Sequence, residues 1–455
     1  MTLADTVHAL LPQVVDDLTA LVAVESVSAD PGRAAEVQRS ARTVADLLTG
    51  AGCPDVRVVD AGGAPAVIGR YPAPEGAPTV CLYAHHDVQP EGDPRAWSTP
   101  PFVATRDGDR LRGRGTADDK GGFAVHLAAL RAFGGRPPVG VTVFVEGEEE
   151  VGSPTLERLL AQEHDALAAD VFVIADSGNW DVGTPAFTTT LRGLADCVVT
   201  VSTLDHAVHS GSFGGPVPDA LTSLCRLLAT LHDDRGDVAV TGLATTEPPA
   251  LDYPEDRLRA ESGLLDGVAW TGTGSLVERL WCKPAIAVIA LDATPVDRAS
   301  NTLIPSARAK ISLRVAPGDD ADAALVRLEE HLHAHAPWGS HVEVERGDSG
   351  QPARIPFTGP YAEAAGTAFR EAWGTDAVFT GQGGSIPMVA AFQEAFPAAT
   401  VLVTAVADPD SRPHGANESL HLGDLGKACV AEASMLAAFA QVGPVHNGPQ
   451  EPQHP

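Results

Sequence analysis

Residues 80–90 read VCLYAHHDVQP, and this stretch decides the fold. Val80, Cys81, Leu82, Tyr83 and Ala84 make a nearly continuous apolar run, as in a strand buried on both faces. Without an intervening turn residue, the run ends in His85, His86 and Asp87, groups that resist burial unless partnered. Side chains alternate along a strand, so His85 and Asp87 share one face and His86 takes the other. Residues 139–145, 171–175 and 400–406 repeat the pattern, and they end at Glu146 to Glu150, at Asp176, and at Asp408 to His414. Helix-like segments at 122–133 and 154–160 separate the earlier runs. The alternation predicts an α/β fold, a largely parallel sheet covered by helices. Ligands of such sheets bind beyond the carboxyl ends of the strands, so four polar endings predict one shared site.

Between roughly Leu191 and Pro356 the texture changes. LADCVVTVST and ARAKISLRVAP alternate like half-exposed strands, with helical stretches at 220–231 and 322–335, which predicts a smaller α+β domain with an antiparallel sheet. The fourth polar-ended strand follows this segment, so the smaller domain is inserted in the larger one. The expected organisation is a catalytic domain at 1–190, the insertion at 191–356, the catalytic domain resumed at 357–441, and a disordered tail at 442–455 rich in Pro, Gly and polar residues.

Composition narrows the function. The 455 residues are 44% hydrophobic and 20% charged, a globular composition long enough for two cores. With 60 acidic against 31 basic residues the formal charge is −29, which argues against nucleic acid and anionic membranes as partners. The first 28 residues read as an amphipathic helix rather than a signal peptide, and no apolar run of membrane-spanning length is evident. Six cysteines without a Cys-x-x-Cys pair point to reduced thiols and a cytoplasmic protein.

The chemistry sits in short segments. A histidine with a nearby carboxylate is a common metal arrangement, and His85 with Asp87 fits it, as it fits a hydrogen-bonded histidine at a strand end. In RLRGRGTADDKGG a Gly-rich turn precedes a helix, but the Walker pattern is absent and Asp118 and Asp119 would repel phosphate, so the turn favours a cation. The run Glu146, Glu148, Glu149 and Glu150 reads singly as a solvated loop. At the same strand edge as His85, however, two neighbouring glutamates can divide the work, one binding metal and one acting as general base. Asp176 and His414 complete a set of imidazoles and carboxylates without cysteine, which suits zinc, with manganese or cobalt close behind.

Taken in order, YAHHDVQP, GRGTADDKGG, EGEEEVGS, HSGSFGGPVPDA, GGSIP and PHGANE span nearly the whole chain. Together they resemble the zinc metallopeptidase family of carnosine dipeptidases, aminoacylases, succinyl-diaminopimelate desuccinylases and carboxypeptidase G, and within it the dipeptidase branch. The resemblance implies a zinc-exopeptidase-like catalytic domain with a lid and dimerisation domain, and two divalent metal ions. His85 and Asp176 would bind one ion, Glu150 and His414 the other, and Asp118 both. Glu149 would be the general base, Asp87 would orient His85, and a cis peptide would join Asp118 to Asp119. A lid histidine, here His209, would stabilise the oxyanion across a dimer interface. Arg314, Asn301 and the loop of Gly384 and Ser385 would recognise the carboxylate of a small peptide substrate, Arg314 by a bidentate contact.

Two departures from the dipeptidase pattern stand out. His86 replaces the usual tyrosine, for which packing or a hydrogen bond is expected, and Ala207-Val208 replace the Asp-Leu before the lid histidine, with Asp205 and His206 available to compensate. Two signals favour structural readings and a third leaves both open. His331, His333 and His335 end a helical stretch where residues two apart do not share a face; His126 reads as a satisfied core histidine; and Trp97 fits a structural aromatic as well as a pocket wall. The expected function is a binuclear metal-dependent dipeptidase acting as a homodimer. An N-acyl-amino-acid deacylase is the alternative enzyme, disfavoured because deacylases usually carry glutamate where this chain has Asp176. A non-catalytic metal-binding module is the alternative of another class, disfavoured by the presence of Glu149.

Overall fold

A computed structural model describes residues 1–384 and 386–444. The chain forms two compact units, one of Met1–Thr189, Ile355–Thr380 and the chain from Pro387 on, the other of Thr190–Arg354 with Gly381–Ile386. From residue 445 the expected disordered tail lies outside the described residues.

The sheet of the first unit orders its strands as Asp55–Val59, Ala66–Tyr71, Gly140–Glu146, Thr79–His85, Val171–Ile174, Thr400–Val403 and Ala186–Leu191. Its centre is parallel: Thr79–His85 pairs in parallel with both neighbours, and Val171–Ile174 with Thr400–Val403. Helices cause this, because Lys120–Ala132 and Leu156–Gln162 supply the crossovers that parallel neighbours require. The flanks are antiparallel, so the sheet is more mixed than the sequence suggests. Residues 60–65 are too few for a crossover and can only close a hairpin. In register, His85 faces Glu146, Tyr83 faces Ile174, and Ile174 faces Val403, which brings the polar strand endings to one edge.

Helices Leu3–Val22, Lys120–Ala132 and Leu422–Val442 pack together on the sheet. Thr2 and Asp5 form a reciprocal capping box at the start of the first. Leu422–Val442 is long and apolar enough to cross a membrane, contrary to the sequence reading, but most of it is buried within the unit. It carries buried Glu432, which lies 2.8 Å from His126 Nδ1, while His126 Nε2 lies 2.9 Å from the Tyr83 carbonyl. Both ring nitrogens face acceptors, an arrangement that favours the doubly protonated ring. Burial opposes that charge, and Glu432 with the Tyr83 carbonyl overcomes it, holding the His126 pKa above the ordinary value.

The second unit is built on an antiparallel sheet ordered Ala285–Asp292, Ser306–Val315, Gly193–Ser202 and His341–Gly350. Alternate residues Ala195, Cys197, Val199 and Val201 are buried with Ala307, Ala309, Ile311 and Leu313 against helices Ala220–Ala229 and Ala321–Ala334. The six cysteines are free, and all but Cys225 are buried.

Truncating one partner of a buried ion pair leaves the other charge uncompensated. Glu432→Ala is therefore expected to lower unfolding stability by about 3–5 kcal/mol in urea titrations near neutral pH. The wild-type advantage should be complete below the unfolded histidine pKa and fade as pH rises through the elevated folded value. A loss under about 1 kcal/mol would place the pair outside the core's energetics.

Candidate metal centre

The Thr79–His85 strand delivers His85 fully buried at the sheet edge. Beyond it the backbone is pinned, because Ser26 Oγ donates to the His86 carbonyl at 2.7 Å and Val88 N–H donates to the Ser26 carbonyl at 3.0 Å. His85 Nδ1 lies 3.0 Å from the Asp87 carbonyl oxygen and 3.4 Å from its carboxylate. The Nδ1 proton is committed there, so in the neutral ring Nε2 carries the free lone pair. Asp87 also accepts the backbone N–H groups of Glu149 and Glu150, at 3.3 and 3.1 Å, tying the glutamate run to the histidine strand. His86 turns the other way and donates from Nε2 to the Pro65 carbonyl at 2.9 Å; burial lowers its pKa to about 4.

Asp118 comes from the Gly-rich turn before Lys120–Ala132, and its peptide bond to Asp119 is cis. The helix start needs glycine, since a Cβ at Gly122 would lie 2.2 Å from Asp119 Oδ1 and 2.7 Å from the Ala175 carbonyl. Asp118 meets a histidine at each oxygen, with His85 Nε2 3.0 Å from Oδ1 and His414 Nε2 2.9 Å from Oδ2. Asp176 Oδ1 lies 4.0 Å from His85 Nε2, and Glu150 Oε2 lies 3.2 Å from His414 Nε2. Two overlapping sets result, His85–Asp118–Asp176 and Asp118–Glu150–His414, each with its potential ligand atoms within 4.8 Å of one another.

Electrostatics at this site is dominated by crowded, half-buried carboxylates. Burial pushes Asp176 up to about 7, opposed by His85 and reinforced by Asp118 and Glu150. Burial and then the Asp176 charge raise Glu149 well above the usual glutamate range. Against its own burial, Asp118 is held below its ordinary value by the bonds from His414 and His85. Bonds to Asp118 and Glu150 lift His414 to about 10. Borderline nitrogen and oxygen donors clustered under an excess of negative charge are the donor set that divalent cations of the zinc type prefer, so the residues fit such ions.

The four glutamates separate by role. Glu146 accepts from Tyr83 Oη at 2.9 Å, and Glu148 accepts backbone N–H groups of Ala64 and Thr155 at 2.9 and 2.8 Å. Glu150 is anchored by Gln89, whose backbone N–H and side-chain Nε2 donate to its two carboxylate oxygens at 3.0 and 2.9 Å. Sequence reasoning assigned Gln89 no role, although it stands in the opening stretch. It also missed a buried ion pair that supports two of these loops. Arg114 Nη1 donates to Glu418 Oε2 at 2.6 Å, while Nη2 donates to the carbonyls of His414 and Gly415 at 3.1 and 3.3 Å. Glu418 Oε1 accepts the N–H groups of Ala117 and Asp118 at 3.0 and 3.2 Å. The available signal was charge inside two Gly-containing turns, but the partners are some 300 positions apart. Trp97 is structural, with its ring under the Arg114 guanidinium and Nε1 donating to the Glu91 carbonyl.

The other candidate residues lie in the second unit. His209 is exposed and accepts the Gly211 N–H at Nδ1, 3.0 Å, which leaves the proton of its neutral ring on Nε2. Asp205 and His206 bond to each other. Arg314 is half-buried opposite Leu194 and Ala285, Asn301 is exposed with its carbonyl accepting from Ser210 N–H, and Gly384 is half-buried. Ser385 lies outside the described residues. His331 Nε2 lies 3.0 Å from Thr230 Oγ1, and its ring stacks on His335 at 4.0 Å.

A family model described as peptidase family M20/M25/M40 matches residues 81–438. A cysteinylglycine-S-conjugate dipeptidase of Corynebacterium striatum is 34% identical over 436 residues, covering 94% of this chain and 96% of the relative. The Cys-Gly metallodipeptidase DUG1 of Saccharomyces cerevisiae is 26% identical, with 96% of each chain covered. Human Beta-Ala-His dipeptidase is 29% identical over 80% of this chain and 75% of the relative. Among solved structures, the Saccharomyces cerevisiae di-peptidase Dug1p superposes with TM-score 0.82 at 24% identity over 96% of this chain and 98% of its own. Human carnosine dipeptidase 1 gives 0.80 at 25%, with the same coverage.

Glu418 touches none of the potential ligand atoms directly and holds the backbone that presents Asp118. Glu418→Gln is expected to weaken divalent-cation affinity roughly 10- to 100-fold in chelator competition. Unchanged affinity in a folded variant would show that the Arg114–Glu418 pair does not set the geometry of the centre.

Proposed function

The chain belongs to peptidase family M20/M25/M40, and from that premise we propose that it is a binuclear metal-dependent dipeptidase acting on small peptides with a free C-terminal carboxylate. The observation that carries this reading is Asp118, whose two oxygens each meet a histidine from a different segment, so that two sets of potential ligands overlap on it. His85 and Asp176 would hold one divalent ion and Glu150 and His414 the other, with Asp118 shared; the donors suit zinc, and manganese or cobalt nearly as well. When bound, such ions supply Lewis acidity that makes water more acidic and polarises a carbonyl.

Glu149 takes the proton from water as its oxygen adds to the amide carbon, then delivers that proton to the leaving amine as the C–N bond breaks. Next to Glu150 in sequence and held by its backbone N–H to Asp87, the Glu149 carboxylate is placed to serve both halves of that transfer. Asp87 fixes the Glu149 and Glu150 backbone relative to the His85 strand, so acid–base group and ligands move as one body. His209, a donor at Nε2, is the residue we assign to the developing oxyanion. Arg314, with Asn301 and the loop at Gly384 and Ser385, is assigned to the substrate carboxylate.

Homodimerisation is part of the proposal. Strand Ala285–Asp292 is an edge of its sheet and exposes Val288, Ile289 and Leu291, an open apolar edge that association would cover. The six free cysteines support a cytoplasmic site of action.

The reading is tested with the metal-reconstituted protein against Cys-Gly, an S-substituted Cys-Gly, β-Ala-His and a set of N-acetyl amino acids. Turnover of dipeptides is expected, and turnover confined to the acylated set would overturn the assignment. Glu149→Ala should retain metal while lowering kcat about a hundred- to ten-thousand-fold, whereas Asp118→Ala should lose metal. The reverse pattern in metal analysis would contradict the division of roles.

A further inference from the structure

Arg192 is a buried cation for which the mechanism above has no use. Only 9% of it is exposed, and the acceptors its guanidinium meets are backbone carbonyls, with Nε donating to Gly383 at 3.3 Å and Nη1 to Lys283 at 3.5 Å. Its own backbone N–H donates to the Gln382 carbonyl at 3.1 Å. No ion pair joins it to a carboxylate among the described residues. A second cation stands beside it, since Arg314 faces Leu194 across the sheet, two positions along from Arg192. Burial first and Arg314 second lower the Arg192 pKa to about 10.

These contacts give the Gln382–Gly384 turn an orientation. In a trans peptide the C=O and the following N–H point in opposite directions. With the carbonyls of Gln382 and Gly383 turned to Arg192, the N–H groups of Gly383 and Gly384 point away from it. Neither N–H has a hydrogen-bond partner among the described residues. Successive outward N–H groups form an anion-binding concavity. A Cβ at Gly383 would lie 2.8 Å from Arg192 Nη2, so a larger residue there would displace the guanidinium from its place behind the turn.

We infer that Arg192 is a positioning residue for the substrate carboxylate: it clamps the Gln382–Gly384 turn by its carbonyls, aims two backbone N–H groups at the anion, and adds its field to that of Arg314. It touches no substrate atom itself. The inference rests on the dipeptidase reading and deepens it, by making selectivity for a free C-terminus depend on a buried residue behind the contact surface.

The test compares a dipeptide with its C-terminal amide on wild type, Arg192→Gln, Arg192→Lys and Gly383→Ala, with metal content and thermal midpoint measured in parallel. For Arg192→Gln the KM of the free acid is expected to rise roughly tenfold or more, the scale of one lost hydrogen bond to a charged group. Its kcat and metal content should stay within about threefold, and the KM of the amide should barely move. Arg192→Lys should recover part of the loss, since an ammonium can still reach the Gly383 carbonyl. Gly383→Ala should reproduce the defect from the loop side, so the inference stays testable if Arg192→Gln fails to fold. Parallel changes for acid and amide, a fall in kcat alone, or no change would overturn it. Wild-type protein inert to both peptides would instead count against the dipeptidase reading.

Discussion

Carboxylates brought together away from water repel one another, and the first unit is arranged around that repulsion. Asp118, the neighbours Glu149 and Glu150, and Asp176 arrive on three separate segments, and two imidazoles offset only part of their charge. Protons can relieve the crowding, as the upward shifts of Asp176 and Glu149 show. Divalent cations relieve it further and turn it to chemical use. The parallel centre of the sheet makes the crowding possible, because only parallel neighbours deliver consecutive strand ends to one edge.

A crowded site holds its shape only if its backbone is fixed, and the supporting bonds run between distant segments. Asp87 ties the glutamate run to the histidine strand, Gln89 anchors Glu150, and the Arg114–Glu418 pair fastens the turns of Asp118 and His414 together. Such partners are what keep metal ligands oriented, and their replacement weakens a site without touching a ligand. Arg192 plays the same kind of part in the second unit, acting on a peptide turn.

Much of this was legible in the sequence because it follows from local pattern. The apolar run ending at His85, alternation of faces and polar strand endings follow from the period of a strand, and they pointed to one shared polar site where histidines and carboxylates cluster. His126 and His331 were recognisable as structural from their place in helical patterns, and both have partners that account for them. What escaped was long-range. Nothing local marks Glu418 as the partner of Arg114, or shows that Asp87 spends its carboxylate on two backbone amides as well as on the His85 ring. The antiparallel flanks were hidden because a buried strand reads alike in either direction, and Leu422–Val442 escaped because its small residues dilute the apolar signal.

If the convergent histidines and carboxylates bind two cations, Asp118 lies between the two. Anomalous diffraction at the zinc edge, from crystals of the protein grown with zinc, tests that binding most directly. The account predicts two strong peaks per chain, one beside His85 and Asp176 and one beside Glu150 and His414, each within bonding distance of one Asp118 oxygen. A single peak, or peaks away from Asp118, would contradict it.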